Sequence, residues 1–276
     1  MALSPGALGV KTGSLRDAIQ IASQAGYGGV EFSIQEVATL IDQHGDAYVR
    51  ALFSDAGLKP AGFGLPVAWN GSEEDWRTGL DQLYVLAKAA QAIGCGRTMT
   101  WILSGSNDRT MEENRKFHIE RFTPVAEILA AHGCRLGLEF LGPKTIRDRL
   151  KHPFVYRMMD MVELAAEIGP NVGLLLDCWH WYTSGGTLDE LRKLRNEQIV
   201  YVHVNDAPRG VALDDHVDNK RSLPGATGVI DLTGFLRALD AIGYDGPIVP
   251  EPFGSPQTWA ADLINGAFGK AGVTPG

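Results

Sequence analysis

The sequence predicts an α/β protein that folds as a single (β/α)8 TIM barrel over residues 1–276. Short β-type segments alternate with longer helical patterns at a spacing of roughly 35 residues, which indicates parallel βα units. The length of 276 residues is close to the about 250 residues typical of a closed eight-stranded barrel. A doubly wound open sheet is disfavoured, because no GxGxxG sequence follows the first predicted strand. No Pro/Ser linker or low-complexity tract divides the chain, so we expect one domain.

The elements follow from the local patterns, taken in chain order. Runs of apolar and β-branched residues predict eight strands, at Ala7–Val10, Gly29–Ser33, Pro60–Leu65, Arg97–Leu103, Arg135–Leu141, Val172–Asp177, Ile199–Asn205 and Pro247–Pro250. Apolar residues at steps of three and four predict helices between them, most clearly at Leu15–Ala25, Trp76–Ile93, Asn114–Ala131, Pro153–Ile168 and Leu232–Ile242. Helix ends are indicated by glycines placed where a left-handed C-cap is needed, namely Gly26, Gly57, Gly94, Gly133, Gly169 and Gly243.

The composition argues against several classes of protein. The 33 acidic and 25 basic residues give a formal net charge of −8, whereas sequence-independent nucleic-acid binding needs a surplus of Lys and Arg. Cys95, Cys134 and Cys178 are an odd and sparse set, which fits a reducing cytoplasm and excludes a disulfide framework. The chain starts without a signal-peptide pattern, and no apolar run reaches the about 18 residues of a membrane span. We therefore expect a cytoplasmic protein that binds neither nucleic acid nor membrane.

Four residues of metal-ligand type lie at or near the carboxyl ends of four successive predicted strands, where barrels carry their active sites. They are Glu139, Asp177, His203 and Glu251. If the alternating faces that carry them point inward, the four side chains converge at one rim of the barrel. Three crowded carboxylates repel one another, and a divalent cation is the simplest way to keep them ionised.

This set of one imidazole and three carboxylates suits one divalent metal ion, with Mn²⁺, Mg²⁺ or Co²⁺ favoured and Zn²⁺ possible. Each residue also has a more ordinary interpretation. A single acidic residue after a strand is often a helix N-cap, and a single strand histidine is often a packing residue. The metal site is favoured because four such residues occur at equivalent positions of four adjacent units.

Several segments together resemble a known family. They are GYGGVEFS, GLEF, LLLDCWHWY, VHVNDAP, RSLPGATGVIDL and GYDGPIVPEPF. As an ordered series they resemble the sugar phosphate isomerase/epimerase family of xylose-isomerase-like barrels, which includes ketose 3-epimerases, inosose isomerase and dehydratase, hydroxypyruvate isomerase and endonuclease IV. The resemblance implies metal ligands at Glu139, Asp177, His203 and Glu251. It also implies substrate contacts from His180 and Arg221.

The chain departs from relatives in two places. Many relatives read Leu-Pro-Gly-Glu-Gly where this chain reads LPGATG over residues 223–228, so an acidic side chain is missing and one residue is inserted. The strand ends EFS (31–33) and FGLP (63–66) lack the extra histidines of the zinc cluster in endonuclease IV. We interpret the sequence DDH at 214–216 as a solvated loop, and DNA repair is therefore disfavoured.

The resemblance, with the site, implies an isomerase or epimerase that acts on a ketose or keto-polyol through a metal-stabilised enediolate. The cation would polarise the carbonyl, while Glu139 and Glu251 act as the acid/base pair from either side of the sugar. The alternatives are a metal-dependent dehydratase of the inosose or dehydroshikimate type, a non-catalytic sugar-binding barrel and an endonuclease IV-like nuclease. The sequence does not define which sugar or polyol is bound, whether it is phosphorylated, or whether the protein forms a homo-oligomer, although barrels of this kind often pair.

Seven further residues are candidates, most of them with two interpretations each. His180 either donates to a substrate oxygen or packs behind the site. Arg221 either holds a hydroxyl, carboxylate or phosphate group or lies on a surface loop. Glu31 is expected to have a charged partner inside the barrel. Aromatic pocket walls, or simple packing positions, are expected at Trp69, Trp101, Trp179 and Trp181.

Overall fold

The computed structural model describes residues 1–253. Eight parallel strands form a nearly closed barrel with helices between them, so the predicted TIM barrel is confirmed. Neighbouring strands follow the order β1-β2-β3-β4-β6-β8-β9-β10, and β1 lies next to β10. These strands are β1 Ala2–Leu3, β2 Gly29–Glu31, β3 Lys59–Gly64, β4 Arg97–Ile102, β6 Arg135–Phe140, β8 Val172–Asp177, β9 Ile199–Val204 and β10 Ile248–Pro250. A separate antiparallel pair joins β5 Gly105–Ser106 to β7 His152–Pro153.

The helices cover the outside of the barrel, and the longer ones bury an apolar face against it. They are α1 Leu15–Gln24, α2 Ile34–His44, α3 Asp46–Ser54, α4 Glu73–Ala92, α5 Met111–Ala131, α6 Lys144–Arg147, α7 Met158–Ile168, α8 Cys178–Thr183, α9 Leu188–Leu191 and α10 Leu232–Ala241. Short 3₁₀ turns lie at Asn196–Gln198 and Leu213–Asp215. In residues 1–253, no helix combines the length and hydrophobicity needed to cross a membrane.

The barrel interior holds a small apolar layer beneath the predicted site. Its buried members are Ala2, Ala61, Met99, Leu175, Tyr201 and Val249. Gly62 of β3 makes room for the buried Tyr201 ring, because a Cβ on Gly62 would lie 2.8 Å from it. Two residues beyond Tyr201 and Val249, the same strand faces present His203 and Glu251. The period of two along the strands therefore sets the site directly on top of this layer.

The first predicted strand is wrong. Residues 7–10 form a turn in which the Leu8 and Val10 amides donate to the carbonyls of Ser4 and Pro5. The strand lies earlier, at β1, where Ala2 pairs with Gly29. Ala7 and Leu8 are buried nonetheless. Their apolar character reflects packing of the turn against the barrel, which a short apolar run cannot distinguish from a strand.

The other seven predicted strands and the five predicted helices are present, with local differences. The helix predicted from Pro153 begins at Met158 instead, because His152 and Pro153 pair with β5. Helix α3 ends shortly before Gly57, one of the predicted helix-ending glycines, whereas α2 was not among the predicted helices. Most of the predicted helix-ending glycines have positive φ, whereas Gly169 has φ 173° and is extended. The described residues stop at 253, so the part of the predicted 1–276 domain from 254 onward lies outside them.

Candidate metal centre and active site

Glu139, Asp177, His203 and Glu251 meet at the mouth of the barrel. Each offers one ligand atom, and these atoms all lie within 4.8 Å of one another. Glu139 and His203 point inward from β6 and β9, Asp177 ends β8, and Glu251 follows β10 directly. Asp177 and His203 are direct partners in the parallel register, which places their side chains next to each other. The structure thus brings together the four residues that the sequence pattern selected.

His203 lies between carboxylates on both sides of its ring. Its Nδ1 atom is 3.1 Å from Glu251 Oε2 and 3.7 Å from Glu139 Oε1, whereas its Nε2 atom is 3.8 Å from Glu31 Oε1. Burial lowers the pKa of His203, but the charge of Glu251 and the contacts with Glu139 and Glu31 outweigh it and hold this pKa well above its usual value. Glu31 therefore has the charged partner inside the barrel that the sequence predicted.

The two glutamates differ in their electrostatics. Burial raises the pKa of Glu139 to about 8; the charges of Glu251 and Asp177 act in the same direction, and contact with His203 opposes them. Burial also raises the pKa of Glu251, but His203 and Arg221 outweigh it, so the pKa of Glu251 is lowered. The same mouth therefore holds one carboxyl group that favours its proton and one that favours ionisation.

The donor set fits a divalent cation. Glu139 Oε1 and His203 Nδ1 are buried atoms without a well-aligned hydrogen-bond partner among the described residues. Asp177 keeps its Oδ1 atom engaged with the amide of Trp179 at 2.7 Å and with Asn205 Nδ2 at 3.1 Å, which fixes the direction of its other oxygen. Buried, crowded oxygen donors with one imidazole nitrogen suit a hard or borderline divalent ion.

Arg221 lies inside the site rather than on a surface loop. Its Nη1 atom is 2.7 Å from Asp177 Oδ2 and 2.8 Å from Glu251 Oε2, and its Nη2 atom is 2.9 Å from Asp218 Oδ1. Only 1% of the side chain is exposed. The charges of these carboxylates outweigh burial and raise the pKa of Arg221, so the guanidinium stays charged. It neutralises part of the negative charge of the mouth.

His180 is buried in α8, directly behind the carboxylates. Its Nδ1 atom lies 3.2 Å from the Gly142 amide nitrogen, and its Nε2 atom lies 3.1 Å from Arg221 Nη2 and 3.9 Å from Glu139 Oε1. Burial, with the charge of Arg221, lowers the pKa of His180 to about 3, so the ring is neutral near pH 7. The Gly142 amide and the Arg221 guanidinium are both donors, and a neutral imidazole accepts a hydrogen bond at only one of its two nitrogens. Nε2 is the nitrogen that faces the mouth.

The altered 223–228 loop is held by Asp206, which sequence reasoning did not select. Asp206 Oδ2 accepts the amides of Thr227 and Gly228 at 2.9 Å and 2.7 Å, and Oδ1 accepts the amide of Ile230 at 3.0 Å. The Thr227 hydroxyl also donates to the Ala207 carbonyl at 2.6 Å. The loop without its acidic residue is therefore ordered by an aspartate within VHVNDAP, and the only signal in the sequence was its position two residues after β9.

The prediction that residues 214–216 form a solvated loop is wrong for His216. Lys144 pairs with the exposed Asp214 at 3.2 Å, as a solvated loop would allow. His216, however, is buried, and its ring packs against Trp179 and Tyr182 at centroid distances of 5.1 Å and 5.6 Å. Within residues 1–253, the one group of candidate metal-binding side chains does not include it. An aromatic neighbourhood explains its burial.

The four tryptophans divide into two groups. Trp179 and Trp181 are buried, with Trp179 beside the Arg221 guanidinium and Trp181 against Phe235. Trp69 is also buried, and its Nε1 donates to Thr100 Oγ1 at 3.2 Å. Trp101 alone among the four is open, with 45% exposure, on β4 in register with Glu139. It remains the candidate for a wall that a ligand could touch.

Fold and site together define a (β/α)8 barrel with a carboxylate–histidine centre at the carboxyl ends of its strands. The model of the xylose isomerase-like TIM barrel family matches residues 19–266, and the chain belongs to that family.

Solved structures and curated relatives agree with this membership. A xylose isomerase domain protein from Alicyclobacillus acidocaldarius is 31% identical, with a TM-score of 0.86 over 98% of each chain. The structure titled IOLI protein with a binding zinc atom is 20% identical, with a TM-score of 0.74 over 98% of this chain and 95% of that chain.

Two curated relatives carry enzyme names. The inosose isomerase of Bacillus velezensis is 23% identical over 250 residues, which cover 88% of this chain and 85% of that protein. The 3-dehydroshikimate dehydratase of Pseudomonas aeruginosa is 33% identical over 131 residues, which cover 47% of this chain and 19% of that protein. The curated relatives of this chain thus include proteins named inosose isomerase, ketose 3-epimerase and 3-dehydroshikimate dehydratase.

Proposed function

We propose that this protein is a divalent-metal-dependent isomerase or epimerase of a ketose or keto-polyol. The observation that carries the proposal is the convergence of Glu139, Asp177, His203 and Glu251 on one point at the barrel mouth. The names of the inosose isomerase and ketose 3-epimerase relatives support the substrate class.

Glu139, Asp177, His203 and Glu251 would hold the metal ion, with His203 ligating through Nδ1, the nitrogen that faces the carboxylates. When bound, the ion supplies Lewis acidity that polarises a ketone and stabilises an enediolate. The donor set accommodates Mn²⁺, Mg²⁺, Co²⁺ or Zn²⁺.

Glu139 and Glu251 are the proposed acid/base pair. They lie on strands separated by β8 and β9, so their carboxyl groups approach the mouth from different sides. One of the two carboxyl groups would take a proton from the substrate, and the other would return one. A proton taken from one face of a carbon and returned to the other face gives epimerisation, and return to the neighbouring carbon gives isomerisation.

His180 and Arg221 are the proposed substrate-positioning residues. His180 Nε2 faces the mouth 3.9 Å from Glu139 Oε1 and would contact a substrate oxygen bound there. Arg221 holds Asp177 and Glu251 in place, and its guanidinium borders the same space. The chemistry at the mouth thus depends on two side chains fixed by burial rather than on mobile surface groups.

The test combines metal analysis with solvent exchange. The purified protein, loaded with Mn²⁺, is incubated in D₂O with ketoses and keto-inositols, and deuterium at the α-carbon is followed by NMR. We expect one divalent ion per chain and substrate-dependent deuterium incorporation. Asp177→Asn should lose both, whereas Asp189→Asn, a matched change at an exposed residue of α9, should keep both. Wild-type protein that binds no divalent ion would contradict the proposal.

Dehydration is the second candidate, favoured by the partial match to a 3-dehydroshikimate dehydratase. It begins with the same proton removal and continues with loss of a β-hydroxyl group. The conjugated product of dehydration absorbs in the ultraviolet and is lighter than the substrate by the mass of one water molecule. An epimer has the same mass as the substrate and gains no such absorption. One assay therefore separates the two reactions.

A further inference from the structure

A cavity of about 400 Å³ opens beside the candidate metal centre, between the ends of β1 and β2 and the first turns of α1 and α2. This volume lies within the range of about 300–1,000 Å³ that small-molecule sites occupy. Glu31 belongs to the cavity lining and also approaches His203 Nε2 at 3.8 Å. The cavity is therefore next to the proposed reacting centre.

The charged side chains that line this cavity are acidic. Among its described lining residues, the charged side chains are Glu31 and Glu36, and neither Lys nor Arg lines it. The other polar lining side chains are hydroxyl groups, at Ser4, Thr12, Ser14 and Ser33. Carboxylates and hydroxyls hydrogen-bond readily to the hydroxyl groups of a polyol. Two carboxylates repel a phosphate or carboxylate group in the same space.

The helix amides beside the cavity are already engaged. The Leu15 amide donates to Glu36 Oε1 at 2.7 Å, and the Asp17 amide donates to Ser14 Oγ at 3.2 Å. The Gly13 amide donates to Asp17 Oδ2 at 3.0 Å. Free amides at a helix start would favour an anionic ligand. At α1, side chains of the protein itself accept these hydrogen bonds, and two of them, Glu36 and Asp17, are carboxylates.

The positively charged guanidinium of Arg221 at the mouth is also engaged. Arg221 contacts Asp177, Glu251 and Asp218 within 2.9 Å, so its positive charge is balanced by more than one carboxylate. A ligand anion would have to compete with these buried carboxylates for the guanidinium. Neither side of the mouth therefore offers an unbalanced positive side chain within the described residues that build it.

We infer that this cavity binds the uncharged, hydroxyl-rich end of the substrate and rejects compounds that carry a phosphate or carboxylate there. The inference rests on the proposed function for the identity of the reacting end, and it narrows the substrate to neutral keto-polyols and unphosphorylated ketoses. It also disfavours 3-dehydroshikimate, which carries a carboxylate. Glu36 is the proposed specificity residue, because its carboxylate lines the cavity while holding the start of α1.

The test uses two matched pairs of compounds with the Mn²⁺-loaded full-length protein. The pairs are D-fructose with D-fructose 6-phosphate, and an inosose with 3-dehydroshikimate. Calorimetry measures the affinity for each compound. We expect the neutral member of at least one pair to bind about tenfold more tightly than its anionic partner. Equal or tighter binding of the anionic members would overturn the inference, and so would binding of none of the four.

Variants test the part played by Glu36. Glu36→Gln keeps an oxygen for the Leu15 amide but removes the charge, and should lower the neutral-to-anionic affinity ratio about fivefold. Glu74→Gln, at an exposed residue in the first turn of α4, should leave the ratio unchanged. A ratio that Glu36→Gln does not alter would overturn the assignment to Glu36. Deuterium exchange reports separately on the proposed function: selective binding without exchange would refute catalysis and leave the inference standing.

Discussion

Arg221 shows how a single residue can serve both charge balance and geometry. Its guanidinium joins Asp177, Glu251 and Asp218 while only 1% of its side chain is exposed. Three carboxylate contacts in different directions need the planar fork of arginine, and the compact ammonium of lysine cannot reproduce them. The residue therefore sets the orientation of one proposed metal ligand and one proposed acid/base group together.

Arg221→Lys should keep the charge but lose this orientation. Each hydrogen bond to a charged group is worth about 1.5–3 kcal/mol, so the loss of one should lower kcat/KM for deuterium exchange about tenfold to a hundredfold. Exchange kinetics on the Mn²⁺-loaded variant measure this, with circular dichroism to confirm folding. Unchanged kinetics would show that the guanidinium geometry does not contribute.

His118 supplies a pH dependence outside the metal centre. It is buried in α5, its Nδ1 contacts the Asn114 carbonyl at 2.7 Å, and its ring stacks on Phe154. Burial, opposed by the carbonyl and aided by Arg109, lowers the pKa of His118 to about 4. An unfolded histidine binds a proton near pH 6.5. Between about pH 6.5 and pH 4, this residue is therefore protonated in the unfolded state but not in the native state.

The free energy of unfolding should therefore fall as the pH drops from about 6.5 to about 4, by at most about 1.4 kcal/mol per pH unit from this residue. Urea unfolding at pH 7 and pH 5 measures the change. His118→Phe retains a ring for the stack and should show a smaller loss between the two pH values. An equal loss in both proteins would assign the pH dependence to other groups.

At the scale of elements, β3 shows how a glycine can position the site from below. A Cβ at Gly62 would lie 2.8 Å from Tyr201 Cε2 and 3.2 Å from Met99 Cε, whereas a Cβ at Gly64 on the same strand would meet no atom within 4 Å. Tyr201 lies two residues before His203 on β9, so a displaced Tyr201 ring would disturb the floor of the metal centre.

Gly62→Ala should lower the free energy of unfolding by about 1–3 kcal/mol, the usual cost of overpacking a core, and weaken Mn²⁺ binding. Gly64→Ala, on the same strand, should leave both near the wild-type values. Chemical denaturation and metal calorimetry on the two variants provide the comparison. Similar behaviour of both alanine variants would indicate that Tyr201 has room to move.

The elements also show what the sequence could and could not predict. Alternation along β6, β8 and β9 placed Glu139, Asp177 and His203 on inward faces, because a period of two is a local property. The turn at 7–10 looked like a strand because burial alone produces an apolar run. The contacts of Arg221 with Asp177 and Glu251 join segments 30 to 44 residues apart, and no local pattern predicts such pairing.

At the scale of the whole molecule, the proposed metal ligands come from β6, β8, β9 and the residue after β10. They span residues 139 to 251, so the four side chains are near each other only when this part of the barrel has formed. In the unfolded chain they are separate weak ligands. A metal ion should therefore bind the native state in preference to the unfolded state.

This preference predicts that Mn²⁺ stabilises the fold. An ion present at about one hundred times its Kd adds about 2.7 kcal/mol to the free energy of unfolding, which for a chain of this size corresponds to a rise in Tm of roughly 5–10 °C. Scanning calorimetry with and without Mn²⁺ measures it. The rise should be absent in Asp177→Asn, which removes a proposed ligand, and retained in Asp189→Asn. The rise should also shrink as the pH is lowered, because protons compete with the metal for the carboxylates and the imidazole. A Tm that Mn²⁺ leaves unchanged would mean that these side chains approach one another without forming a metal site.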